Sequence, residues 1–92
     1  MIIINNKINI LRKKIDSIDN QILTLLNERF KISKTILKEK QLNNIKIYDS
    51  NREKDIINKV KNLKSDYLTS ESIENIYKEI LLNSLKEMEK LS

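Results

Sequence analysis

INILRKKIDSIDNQILTLLNERFKISKTILKEKQL, residues 8–42, decides the fold, because apolar residues recur along it at alternating steps of three and four. The row runs Ile8, Leu11, Ile15, Ile18, Ile22, Leu25, then Arg29, Ile32 and Ile36. This is the heptad-like spacing that winds onto one stripe of an α-helix. It predicts a single helix from about Asn6 to about Leu42, which at 1.5 Å per residue is roughly 50 Å long. That exceeds the diameter expected of a compact chain of 92 residues, taken as about twice a ~12 Å radius of gyration. The stripe is therefore expected to be covered by a second copy of the chain.

Downstream, Asn43-Asn44 and Ile45 to Tyr48 read as a first joint. Ser50 and Glu53 have the S-x-x-E spacing of a capping box at the start of a second helix. Its stripe is Glu53, Ile56, Ile57, Val60 and Leu63, ending near Lys64. Residues 65–68 form a second joint, and Thr69-Ser70-Glu71 looks like an N-cap with an acidic first turn. A third stripe follows through Ile73, Ile76, Tyr77, Ile80, Leu81, Ser84, Leu85, Met88 and Leu91. The expected fold is all-α, one domain over residues 1–92, with a long, a short and a medium helix per chain in an intertwined homodimer.

Composition narrows the chemistry. The chain is 39% hydrophobic and 34% charged, and it contains no Gly, Pro, Cys, His or Trp. Glycine-rich phosphate cradles, His or Cys metal sites, imidazole catalysis, thiol nucleophiles and disulfides are excluded. No apolar run of about 18 residues is present to span a membrane, and Met1-Ile2-Ile3-Ile4 is too short for a signal peptide, so a cytoplasmic protein is expected. The net charge of +5 suits an anionic partner. The lysines are spread along the chain between acidic residues, neither clustered nor interleaved with stacking aromatics, which argues against nucleic acid.

Charges on a core-facing seam are the informative positions, because burying an unpaired ion is costly. Arg29 occupies such a position, and its face continues through Ser33 and Ile36 to Lys40, eleven residues or about 16 Å away. The pair could converge on one small dianion. Equally, Arg29 could meet a carboxylate across a dimer seam while Lys40 merely snorkels at a helix end. Glu53 opens the second stripe, where capping alone would explain it, and Ser84 on the third could bond its own helix backbone. Arg12 lies seventeen residues, about 25 Å, from Arg29 along the same helix. It could share a site with Arg29 only by coming from an antiparallel partner chain.

Leu11-Arg12-Lys13-Lys14-Ile15-Asp16, Ile18-Asp19, Leu25-Leu26-Asn27-Glu28-Arg29, Lys38-Glu39-Lys40 and Asp49-Ser50-Asn51-Arg52-Glu53 together resemble the all-helical class of chorismate mutase. The likeness covers nearly the whole chain, and the spacing from Arg12 to Glu53 matches without a gap. It implies an intertwined homodimer of three-helix chains with two sites, each built from both copies. The implied reaction is the conversion of chorismate to prephenate, an intramolecular Claisen rearrangement that needs no cofactor or metal. Carried over by position, Arg29 and the partner copy's Arg12 would grip the substrate carboxylates. Lys40 would donate to the ether oxygen and a carboxylate, Glu53 would accept from the ring hydroxyl with Asp49 nearby, and Arg52 and Ser84 would help fix the ring carboxylate.

One position departs from the pattern. The family has Gln or Glu four residues after the Ser84 position, as a second donor to the ether oxygen, and here that residue is Met88. Without the one-residue deletion assumed in the preceding joint, Glu89 takes the place and Leu85 replaces the serine, but the apolar stripe then fits less well. Methionine donates no strong hydrogen bond. Two other readings therefore stand beside the mutase. One is a lyase of the same fold releasing pyruvate from isochorismate, and the other is a non-catalytic helical dimer that binds without turnover. The partners the resemblance implies are chorismate, a second copy of the chain and another enzyme of the shikimate pathway onto which the domain could dock.

Overall fold

A computed structural model describes residues 3–91, with side chains from Asn6 onward; Met1 and Ile2, part of the apolar start considered above, lie outside the described residues. Three helices and no strand occur among them: α1 (Ile3–Leu42), α2 (Ser50–Lys61) and α3 (Ser70–Leu91). The all-α expectation, with its long, short and medium order, holds. The chain divides into two compact units, Met1–Thr35 and Ile36–Ser92.

The first unit is helix throughout its described length. From Asn6 to Leu25 every side chain is exposed, the apolar row included: Leu11, Ile15, Ile18, Ile22 and Leu25 keep between 48% and 63% of their surface open. Leu26, Arg29, Phe30 and Ser33 are half-buried.

The second unit holds the end of α1 and the α2–α3 pair. Its buried apolar residues come from all three helices: Leu37, Val60, Leu81 and Met88. Ile56, Ile57, Ile73, Tyr77, Ile80 and Leu85 are half-buried beside them. α2 packs on α3. Ser70 Oγ donates to the Lys61 carbonyl at 3.1 Å and Lys61 Nζ lies 3.7 Å from Glu74 Oε1, so the chain folds back as a helical hairpin.

Three expectations are corrected. α1 begins at Ile3 rather than Asn6, the Asn5-Asn6 pair failing to interrupt it. Near its C-terminus Leu37 is buried within the chain, while Ile32 and Ile36, on the row expected to meet a second copy, are at least half exposed. α2 stops at Lys61, three residues short of Lys64, and Leu63 beyond it is exposed. The N-cap of α2 is Asp49, one residue before Ser50: its Oδ1 accepts from the Arg52 N–H at 3.0 Å. A carboxylate at the N-cap satisfies one of the orphan donors of the first turn and also suits the positive end of the helix dipole, so it outcompetes the adjacent serine.

Without glycine, the joints close by other means. Asn44 is the C′ residue of α1 at φ 54, and the Ile45 N–H donates to the Lys40 carbonyl at 2.8 Å and the Asn44 N–H to that of Gln41 at 3.4 Å. This is the Schellman arrangement, with asparagine in the left-handed position usually given to glycine. At α3, Thr69 Oγ1 accepts from the Ser72 N–H at 3.1 Å, the N-cap expected from the sequence.

Candidate functional site

The first joint and the opening turn of α2 bring together several of the singled-out residues. Lys40, on the last turn of α1, sends its Nζ to the carbonyl of Ile47 at 2.9 Å in a half-buried contact. Tyr48 follows, and its hydroxyl donates to Glu53 Oε1 at 3.3 Å. Asp49 caps α2, which sets the direction in which Arg52 and Glu53 leave the helix. With Asp49 as cap, Glu53 is the fourth residue of the sequence after it and no longer the third, so the capping explanation for Glu53 lapses. The half-buried Glu53 carboxylate is instead turned to the Tyr48 phenol.

Tyr48, Ser50, Glu53 and Ile57 line one side of a cavity of about 660 Å³ between α2 and α3. Leu81, Leu82 and Leu85 supply apolar walls, and Lys54, Lys61, Glu74 and Lys78 add charge. Glu74 is held below the ordinary carboxylate range by its hydrogen bond to Lys78 and then by Lys78 and Lys61 charge. The negative charge of Glu53 pushes the Tyr48 phenol above its usual value.

The remaining predicted residues are placed as follows. Arg52 is exposed and its Nη1 meets Asp55 Oδ2 at 2.9 Å, one turn along α2. Ser84 is half-buried on α3. Met88 is buried, whereas Glu89 is exposed, and Leu81 and Met88 stand two turns apart on one face. Arg12 and Arg29 belong to the first unit, Arg12 exposed and Arg29 half-buried. Among the described residues no cluster of acidic or other ligating side chains could hold a metal ion, and no helix is long and apolar enough to cross a membrane. Sequence reasoning passed over Tyr48. Its signal was weak, a lone tyrosine in a joint, and gains meaning only once the joint brings it back onto Glu53.

Comparison with known proteins bears on the family and the fold. The family model for chorismate mutase type II matches residues 11–89. The chain is 36% identical over 80 residues to a chorismate mutase of Methanocaldococcus jannaschii, covering 87% of this chain and 81% of that protein. It is 40% identical over 75 residues to a bifunctional chorismate mutase/prephenate dehydratase of Aquifex aeolicus, covering 77% of this chain and only 21% of that longer protein. Two solved forms of the Thermus thermophilus chorismate mutase superimpose with TM-scores of 0.83 and 0.81 at 29% and 28% identity, covering 87% and 85% of this chain and 91% and 98% of theirs. A three-helix fold in the same order and a family match running from Leu11 to Glu89 place the chain in the chorismate mutase type II family.

Proposed function

We propose that the chain carries out the reaction of its family, the isomerisation of chorismate to prephenate, in a site completed by a second copy. The observation that carries this reading is the match of the chorismate mutase type II family model over residues 11–89, a span that contains Arg12, Arg29, Lys40, Arg52 and Glu53, the residues to which the resemblance in sequence assigns the site. A Claisen rearrangement makes no covalent enzyme intermediate. Its catalyst must hold the reactive conformer and meet the charge that develops on the ether oxygen, which cationic donors and one carboxylate can do without His or Cys.

In this reading Arg29 and the second copy's Arg12 take the carboxylates, guanidinium geometry suiting a two-point grip. Lys40 has three donors. One held by Ile47 leaves two for the ether oxygen and a carboxylate. Glu53 accepts from the ring hydroxyl. Asp49 acts by fixing the turn from which Glu53 and Arg52 emerge, and Arg52 and Ser84 help orient the ring carboxylate. The burial of Met88 beside Leu81 supports the register in which Ser84 and Met88 face inward. The ether oxygen then has Lys40 as its donor, with Met88 supplying only apolar contact.

The second copy is proposed for the exposed row on α1, where apolar side chains from Leu11 to Ile32 stand open at helical spacing. Contiguous apolar surface of this kind is a mark of an interface. The name of the Aquifex relative joins a mutase to a prephenate dehydratase, which supports a partner enzyme that consumes the product.

The test follows chorismate by absorbance, with the product identified chromatographically, and runs isochorismate in parallel. Saturable formation of prephenate with no pyruvate from isochorismate is expected. Pyruvate release would shift the assignment to the lyase, and a folded dimer inert toward both substrates would make the chain a binding protein.

A further inference from the structure

We propose that Tyr48 is the positioning residue for Glu53, holding one carboxylate oxygen so that the other is left to accept from a ligand. The inference deepens the function proposed above and rests on the acceptor role given there to Glu53.

The backbone on either side of Tyr48 is pinned. The Ile47 carbonyl is held by Lys40 Nζ at 2.9 Å, and Asp49 is locked as the N-cap of α2 by its bond to the Arg52 N–H at 3.0 Å. A residue between two such anchors has a restricted backbone, which sets the origin of its side chain. From there the hydroxyl reaches Glu53, whose Oε1 accepts the phenolic proton at 3.3 Å. Both residues line the same cavity. An ionised carboxylate can accept at both oxygens. With Oε1 engaged, Oε2 is the acceptor left for a ligand hydroxyl.

The chemistry of the donor fits the task. A lysine there would neutralise the carboxylate, and a serine would be too short to reach across the joint. A phenol donates one proton without adding charge, and at neutral pH it is protonated without help; the nearby Glu53 charge raises it further. At 3.3 Å the contact is longer than the 2.5–2.7 Å usual for an O–H donor to a carboxylate, so the hold is loose in the unliganded chain. A bond of this class to a charged group, at the weak end of its range, corresponds to about a tenfold effect.

The test is a two-residue cycle on the full chain, using Tyr48→Phe, Glu53→Gln and the double variant, with helicity checked by circular dichroism. Tyr48→Phe is expected to lower kcat/KM for chorismate about tenfold, mainly through KM, because an orienting contact to the ring hydroxyl serves substrate and transition state alike. In the Glu53→Gln background the same change should have no further effect. A second readout needs no substrate: with Tyr67→Phe and Tyr77→Phe in place, the absorbance titration of the remaining phenol should move to lower pH when Glu53→Gln is added. Full activity of Tyr48→Phe, an equal loss in both backgrounds, or a phenol titration indifferent to Glu53→Gln would each overturn the proposal. If the unaltered chain fails to turn over chorismate, the functional reading fails, while the phenol titration still reports on the Tyr48–Glu53 link by itself.

Discussion

Lys40 and Ile47 are joined across the end of α1, the ammonium of the one donating to the backbone carbonyl of the other at 2.9 Å. The residue proposed to face the ether oxygen is thus also the residue that ties down the joint. Lys40→Met should lower chorismate turnover by ~10²–10³, the usual loss when a donor to a developing oxyanion is removed. Steady-state rates check this, and a variant with unchanged kcat would strip Lys40 of its role.

Met88 offers the reverse experiment. Replacing it with glutamine places a donor four residues after Ser84, and kcat should rise. The amide enters a buried position, so thermal stability should fall, by about 1–3 kcal/mol if the amide finds no partner in the free protein. Glu89→Ala should leave kcat within twofold of the unaltered chain between roughly pH 5 and 8. A loss confined to the acidic end would hand the donor role to a protonated Glu89.

Arg12 and Arg29 belong to different copies of one site in the proposed dimer. Arg12→Ala and Arg29→Ala chains should each be inactive, and an equal, fully exchanged mixture should recover about a quarter of full activity, since half the dimers are mixed and each has one intact site of two. Light scattering confirms the dimer in the same samples. A mixture that stays inactive would place both arginines in one chain's site.

The joints are accessible to stability measurements. Asp49→Ala should cost about 1 kcal/mol in urea unfolding through loss of the α2 cap. Asn44→Gly should gain about 0.5 kcal/mol, because glycine takes the left-handed conformation at φ 54 without the steric cost that asparagine bears.

Acid should weaken the α2–α3 hairpin in a defined direction. Asp55 is held low chiefly by its hydrogen bond to Lys59, with Arg52 contributing, and Glu74 by Lys78 and then Lys61. Because both folded values lie below the ordinary 3.8 and 4.5, the stabilisation is fully present above those values and is lost as pH falls through the depressed ones. Both groups are solvent-screened, so the fall in melting temperature should be small and should shrink with added salt. Glu74→Gln should flatten part of it.

Particular residues show where the sequence sufficed. The heptad spacing of Leu11 to Ile22 was enough to identify α1 as one long helix, since no glycine or proline interrupts it. The same spacing named the row expected to meet a second copy and left unread Leu37, on the adjacent row, which is buried within the chain. α2 was overextended because Leu63 continues its period past the last helical turn. At its start, serine and aspartate are both good caps, and only the observed bond to the Arg52 N–H separates them. Arg29 and Glu53 were legible as charges out of place on apolar stripes, Lys40 as the far end of the Arg29 face, and Arg12 only through its distance from Arg29 along one helix. Tyr48 was not, because its significance depends on a bond across a joint that no periodicity describes.

The exposed row of α1 and the adjacency of α2 and α3 also set an order of events in time. The hairpin pairs segments that are neighbours along the chain, so its formation should be fast, on the microsecond to millisecond scale of local helical folding, and indifferent to dilution. In the proposed dimer, covering Leu11, Ile15, Ile18 and Ile22 requires an encounter between chains. That phase should be second order, its half-time halving as the protein concentration doubles, and a site that draws Arg12 from the other copy would come into being only when it is complete.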